Sequence, residues 1–446
     1  MDFIEEFDVA IRLGVKGNIE GTLLNADSDY VFELAETLYL ITCYHFRFDG
    51  KPNENFSFVA NSSLSGGRHP CSAPGCRIDK LDQLISFSSL YSDEVYIQNP
   101  FEEIVISGVD NLCLASRQEL VAGIYNYLYL KPLIKRGIIK YAQNMVSLCH
   151  DHHISLAEPL REKIMNKENK LYNLLHDFLL ENCEVALDMT DTNKPFFEIK
   201  GSTSIINHGA MYFYLLEPLG EYIEHLCSKV MPYKFTKKEV IDERILRLVI
   251  DPIIKDLSNQ EWHSAFYGTS YLCDNQIQMD IASKLNSAVY KANSTSFGSA
   301  VNHYLPTIQS KSPDDILALR DKEAEAFYVY RDKINTLIKK GSGWSEREIS
   351  ELFRDQILPE INIIEKRVRD WKTKTRSGLR DKIIIGSGAI SFGLYSGMLP
   401  HDFSHLFAAA GGGAALVSAA IDLSKTLKGK EEARSNDFYF LWQVNK

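Results

Sequence analysis

A mixed α+β fold, closing in a mainly α-helical carboxy-terminal bundle with an apolar helical hairpin, is predicted by three observations. Apolar residues at three- and four-residue steps alternate with short β-type runs through the first 183 residues. Three short runs of strand character crowd between 184 and 218. Long charged amphipathic patterns take over from Asp314. At 446 residues the chain is too long for one ordinary core, and 45% hydrophobic with 24% charged residues is the composition of a folded chain. Three regions follow: an α+β domain over 1–183, an α/β middle domain over 184–305 and a helical domain over 306–446.

Taken in order, residues 28–48 mix helical and strand-like spacing, and DGKPNENFSFVANSSLSGGRHP reads as a loop from its Gly, Pro, Asn and Ser content. Ile78, Leu81, Leu84, Ile85, Phe87 and Leu90 mark a helix, and EVYIQNPF then has strand character before its proline. Ser116 stands three residues before Glu119, a capping-box spacing that predicts a helix over 116–136. Residues 157–182 are helical in pattern, and EVALDM, FFEIKG and AMYFYLL are strands. KKEVIDERILRLVIDPIIKDL returns to helix, a Tyr- and Ser-rich segment follows, and another helix is expected near 276–292. Two charged helices separated by GSGW complete the order.

A net charge of −10 argues against a general polyanion binder, because phosphate binding draws on clustered Lys and Arg. Eight cysteines are too few for a disulfide scaffold, and MDFIEEFDVAIRLG has no basic n-region followed by a long apolar stretch, so an intracellular, reducing setting is expected. No Walker A, Rossmann glycine fingerprint, GxSxG elbow or kinase signature is present, which lowers the standing of the commonest nucleotide-dependent and hydrolase classes.

Two constellations carry chemistry. RHPCSAPGC sets Cys71 and Cys76 at C-x4-C spacing across a Pro-Gly turn, and SLCHDHH supplies Cys149 with His152 and His153. A tetrahedral structural zinc with a Cys3His set is expected from Cys71, Cys76, Cys149 and one of His152 or His153, with His69 an alternative ligand. Cys113, Cys183, Cys227 and Cys273 lack such partners and read as small buried hydrophobes.

The second constellation is EVALDMTDTNKPFFEIKGS, where Asp188 closes one apolar run, Glu198 and Lys200 close the next, and period-two alternation puts Glu198 and Lys200 on one face. About twenty residues here resemble the core of the PD-(D/E)xK nuclease superfamily. The resemblance implies magnesium held by Asp188 and Glu198, with Lys200 stabilising charge on a phosphate of nucleic acid. Charged residues on the solvated face of an ordinary hairpin would give the same pattern.

Residues 383–401 and 403–421 contain no Asp, Glu, Lys or Arg, each near the roughly 18 residues that mark a membrane-spanning candidate, and basic segments flank them. Ala389, Gly393 and Gly397 recur at four-residue steps, a spacing that lets helix backbones approach closely. The hairpin 383–421 is therefore expected to be two antiparallel helices that self-associate, engage a membrane or form a buried core. Together these features predict a non-enzymatic, zinc-stabilised cytoplasmic sensor or effector, membrane-associated in one version, that acts through a protein partner, a homo-oligomer or the bilayer. An effector of bacterial stress or phage defence would suit the layout. The alternatives are a magnesium-dependent nuclease and a soluble interaction scaffold.

Overall fold

The computed structural model describes residues 2–15, 17–46, 57–142, 150, 158–190, 192, 194–201, 206, 209–215, 219–267, 269–274, 306–310, 313–322, 324, 328, 351, 355, 359, 383–387 and 391–393. Mixed helix and strand is the observed class. The chain divides into two compact units, one drawn from Met1–Leu148 and Asn259–Leu399, the other from Cys149–Ser258. The boundary expected near 183 instead falls inside the second unit, between a helix and the strand that follows it.

The chain opens with α1 (Phe3–Gly14), whose first turn is capped by Asp2 accepting from Glu5 N at 2.8 Å, and which buries Phe3, Phe7 and Ile11 at four-residue spacing. Next come α2 (Ile19–Asn25), capped by Asn18, and α3 (Ser28–His45), capped by Asp27. The strand β1 (Ser57–Ala60) follows, then α4 (Pro74–Tyr91), with proline at its start, and β2 (Glu94–Ile97). After α5 (Glu102–Ser107), α6 (Leu114–Lys135) leads into β3 (Ile139–Tyr141). The second unit holds α7 (Glu158–Asn182), β4 (Glu184–Met189), β5 (Pro195–Lys200), β6 (Ala210–Tyr214), α8 (Glu221–Cys227), β7 (Tyr233–Lys234) and α9 (Lys237–Asp242). Then come α10 (Arg247–Tyr267), β8 (Ser270–Cys273), β9 (Pro306–Ser310), α11 (Pro313–Lys322), β10 (Ile383–Ser387) and β11 (Ser391–Gly393).

In the first unit the strands lie in the order β11-β8-β1-β2-β3. The inner pairs β8/β1, β1/β2 and β2/β3 are parallel, and β11 is antiparallel to β8. Period two sorts the side chains. Phe58, Ala60, Val95, Ile97, Ile139, Tyr141 and Leu272 join the large core with α1, α3, α4 and α6, while Val59, Tyr96, Ala142 and Tyr267 form a smaller cluster. In the latter, the rings of Tyr96 and Tyr267 stack with centroids 4.0 Å apart. A parallel strand covered on both faces needs no alternation of polar residues, so all four positions of β1 are buried. That corrects the reading of SFVA as loop: Asn and Ser on either side of so short a strand hid it.

Three further expectations change. Ser116 and Glu119 do not cap α6, which starts at Leu114 after an uncapped Cys113; Glu119 instead forms a two-pronged pair with Arg77. Cys113 is exposed rather than buried, and the bond from Ser116 lowers its thiol pKa; Cys183 and Cys227 are half-buried, and Cys273 is buried as expected. Ile383–Ser387 and Ser391–Gly393 are strands, not the opening of a helix, in keeping with the β preference of three consecutive isoleucines. β10 pairs antiparallel with β9, Ile385 opposite Ile308. The rest of 383–421, the helix near 276–292 and most of the charged pair beyond α11 lie outside the described residues.

The second unit's sheet is wholly antiparallel in the order β6-β5-β4-β7. Val185, Leu187, Phe197 and Ile199 are buried on one face, and α7 buries Leu171, Leu175 and Leu179 at helical spacing.

Candidate ligand site at the carboxyl edge of the parallel sheet

From β1 the chain passes to β2 and then β3 on one side, while β8 flanks β1 on the other, so the strand order reverses between β1 and β8. In open α/β sheets the crevice beyond the carboxyl ends at such a reversal is where ligands bind. Asn61 and Ser63 stand just past the end of β1, and Asp274 just past the end of β8.

The turn after β1, Asn61 to Gly67, is held by its own backbone and side chains. Asn61 Oδ1 accepts from Leu64 N at 3.1 Å, Asn61 O accepts from Ser65 N at 3.0 Å and from Ser65 Oγ at 2.8 Å, and Gly67 N donates to Ser62 O at 2.8 Å. Gly66 has φ +77, and a methyl group on Gly67 would lie 2.7 Å from Ser62 O, so both positions call for glycine. Arg77 Nη1 and Asn126 Nδ2 each donate to Gly66 O at 3.0 Å, and the Arg77–Glu119 pair holds the guanidinium in place. The loop is thus fixed from beneath by α4 and α6.

Asp274 is the hub. Its Oδ1 accepts from Asn61 Nδ2 at 2.7 Å, and its Oδ2 accepts from Ser63 Oγ at 2.8 Å and from Lys80 Nζ on α4 at 2.7 Å. The Asp274 side chain is 5% exposed and that of Lys80 27%. An ionised carboxylate offers about four acceptor positions, and described donors fill three of them here. The charges of Arg68 and Asp274 both act on His69. Burial and then the Arg68 charge push its pKa down to about 4, outweighing the opposing pull of Asp274, so the imidazole is neutral at pH 7. Its Nε2 is buried and has no hydrogen-bond partner among the described residues. The site therefore combines a fixed carboxylate, a partly exposed ammonium, a nearby guanidinium and an imidazole nitrogen with unused hydrogen-bonding capacity.

Of these residues the sequence singled out only His69. The overlooked signal was a repeated one: SFVANSS and SYLCD are both short apolar runs that end abruptly in a polar side chain, the pattern of parallel strands delivering residues to a sheet edge.

Cys71 lies just before α4 and Cys76 in its first turn. Both are exposed, and the Cys76 thiol is pushed up first by its hydrogen bond with Cys71. Cys149, His152 and His153 lie outside the described residues, and among those described no cluster of three or more Cys, His, Asp and Glu is placed to hold a metal. Nor is any described helix long and apolar enough to cross a membrane.

In the second unit, β4 and β5 put Asp188 opposite Phe196 and Glu198 opposite Ala186, so Asp188, Glu198 and Lys200 share the face away from Val185 and Ile199. Lys200 Nζ bonds Glu198 Oε2 at 2.8 Å, and Asp188 Oδ1 accepts from the backbone N–H of Met189. Tyr212 and Tyr214 on β6 flank them, exposed, each ring against Phe196. The three residues are brought to one sheet face, where Glu198 and Lys200 engage each other.

No family model matches the chain, and neither does any curated protein or solved structure.

Proposed function

We propose that the amino-terminal unit is a sensing module that binds a small phosphorylated polyol, the chemical class to which nucleotides belong, at the carboxyl edge of its parallel sheet. One observation carries the reading: Asn61, Ser63, Lys80 and Asp274, drawn from three separate stretches of the chain, converge at the point where the strand order reverses. Lys80 and the exposed Arg68 supply charge for an anionic group, and the remaining acceptor position of Asp274 suits a hydroxyl. His69 Nε2, buried and neutral, meets a further polar group of the same ligand. Binding rather than turnover is favoured because Asp274 is tied down by three donors. On this reading the unit is the sensor of the sensor or effector expected from the sequence.

The test is a thermal-shift panel of nucleoside monophosphates and sugar phosphates on the full chain and on Asp274→Asn. At least one compound should raise the wild-type midpoint by several degrees and leave the variant unmoved. A panel silent on the wild type, or equally active on both proteins, refutes the proposal.

A further inference from the structure

We propose that β11 is a strap through which the state of the Asp274 site is passed on: a ligand bound at Asp274 fastens β11 to β8, and an empty site loosens it. This coupling rests on the binding reading above, and two features of the fold carry it. The first is how the end of β8 is held. On the β1 side, Asn61 grips three consecutive residues: its backbone N–H donates to Leu272 O at 2.9 Å, and its side-chain amide donates to Cys273 Sγ at 3.4 Å and to Asp274 Oδ1 at 2.7 Å. On the opposite side β11 pairs with the overlapping stretch, Ser391 opposite Cys273, Phe392 opposite Leu272 and Gly393 opposite Tyr271. Asp274 is thus the residue next to a direct partner of β11.

The second feature is the segment that delivers β11. Three residues before it ends β10, which pairs antiparallel with β9 from Ile383 opposite Ser310 to Ser387 opposite Pro306. β9 in turn lies against α4, the helix that carries Lys80. The stretch 383–393 therefore reaches both members of the Lys80–Asp274 pair, one through the strand that precedes Asp274 and the other through the helix of Lys80.

The sign of the coupling follows from the shared strand end. A three-residue strand at the edge of a sheet forms few ladder hydrogen bonds, and contacts of that kind open locally at much lower cost than the whole unit unfolds. A ligand that engages Asp274 and Lys80 restrains the last residues of β8. Once that ordering is done, β11 docks without repeating it, so ligand and strap favour each other. Linkage makes the effect reciprocal: a docked β11 tightens ligand binding by the same factor. Beyond Gly393 the chain runs directly into 394–401 and 403–421, which contain no Asp, Glu, Lys or Arg, so the strap is joined to the residues from which the sequence predicts self-association or membrane contact.

The experiment is amide hydrogen exchange read by mass on the full chain, with and without adenosine monophosphate or ribose 5-phosphate, and with Asp274→Asn as the control. At least one compound should slow exchange in peptides covering 270–274 and also in those covering 391–393, and Asp274→Asn should show neither effect. Affinity for the same compounds is measured on Ser391→Pro and Phe392→Pro. Successive N–H groups of an edge strand point alternately toward the partner strand and away from it, so one of these substitutions removes a ladder donor and the other does not. The first should bind roughly fivefold more weakly than the wild type, the second within error of it. A proline variant that fails to fold leaves exchange in the wild type to decide. Protection of 270–274 alone, or faster exchange at 391–393 on binding, overturns the coupling and leaves the binding reading standing. Wild-type affinity in both folded proline variants overturns it equally. If neither compound binds the wild type this inference falls, and the thermal-shift panel judges the binding reading separately.

Discussion

Each unit of this protein pairs a lysine with a carboxylate on or beside a sheet, and the two pairs are assembled in opposite ways. In the antiparallel sheet Glu198 and Lys200 are two residues apart on one strand, with Lys200 57% and Glu198 14% exposed. At the edge of the parallel sheet, Lys80 and Asp274 are 194 positions apart, and Asp274 is almost wholly enclosed by Asn61, Ser63 and Lys80. A local pair on one strand forms with little demand on the rest of the fold and contributes little to it. A buried carboxylate is tolerated only where donors are positioned to meet it, so its presence records a constraint from the whole unit. The difference teaches where to look for function: at charges the fold has gathered from afar rather than at those the strand period sets side by side.

The comparison breaks if the two carboxylates prove equally dispensable. Asp274→Ala removes the acceptor for three donors, two of them on the buried Asn61 and Ser63, and should destabilise the full chain by about 2–4 kcal/mol in urea unfolding. Glu198→Ala should leave the unfolding midpoint within error of the wild type. Equal losses for both variants would remove the distinction between the units.

The second prediction sharpens the contrast through pH. His69 has its pKa lowered from 6.5 to about 4, chiefly by burial and then by the Arg68 charge. The unfolded chain therefore takes up a proton near pH 6.5 that the folded chain refuses until about pH 4. Stability from this group is fully present above pH 6.5 and is lost as pH falls from 6.5 to 4, by on the order of 3 kcal/mol in total. Unfolding free energies measured between pH 7 and 5 should fall less steeply for His69→Gln than for the wild type, whatever the variant's starting stability. Parallel slopes would show that the imbalance at His69 is absent and, with it, the enclosed character of the site.

These effects bear on what could be read in advance. The antiparallel hairpin was legible because its signals are local: EVALDM and FFEIKG alternate, a turn separates them, and the register puts Asp188, Glu198 and Lys200 on one face as alternation requires. The helices from Pro74 to Tyr91 and from Glu158 to Asn182 were legible for the same reason. The parallel sheet was not. β1 is four residues long, buried on both faces and therefore without alternation, and flanked by Asn and Ser. Its neighbour β8 lies more than 200 residues along the chain, and no spacing rule links Asn61 to Asp274. The same blindness gave Glu119 a capping role, although the partner that claims it, Arg77, lies 42 positions away.

The smallest expected effect tests whether local devices in the second unit behave as local devices. Thr236 and Glu239 form a reciprocal cap on α9: Glu239 Oε2 accepts from Thr236 N at 2.8 Å and from Thr236 Oγ1 at 2.7 Å, while Thr236 Oγ1 accepts from Glu239 N at 3.3 Å. Tyr233 donates to Glu239 Oε1 at 2.5 Å, and Tyr222 to the same oxygen at 3.3 Å. Led by Tyr233 and then Thr236, these donors hold the Glu239 pKa down from 4.5 to about 2. The ionised form is the one they stabilise, so the contribution is present above pH 4.5 and is lost as pH falls from 4.5 to 2. Because Glu239 is fully open to water, screening keeps the effect small. Glu239→Gln should lower the melting temperature slightly at pH 7, and the gap should close as pH falls from 4.5 toward 2, since the wild type loses over that range what the variant never had. A gap that stays constant across the range would assign the loss to packing. A gap that widens on acidification would mean the folded state prefers the protonated acid, and the capping geometry at Thr236 would be wrong.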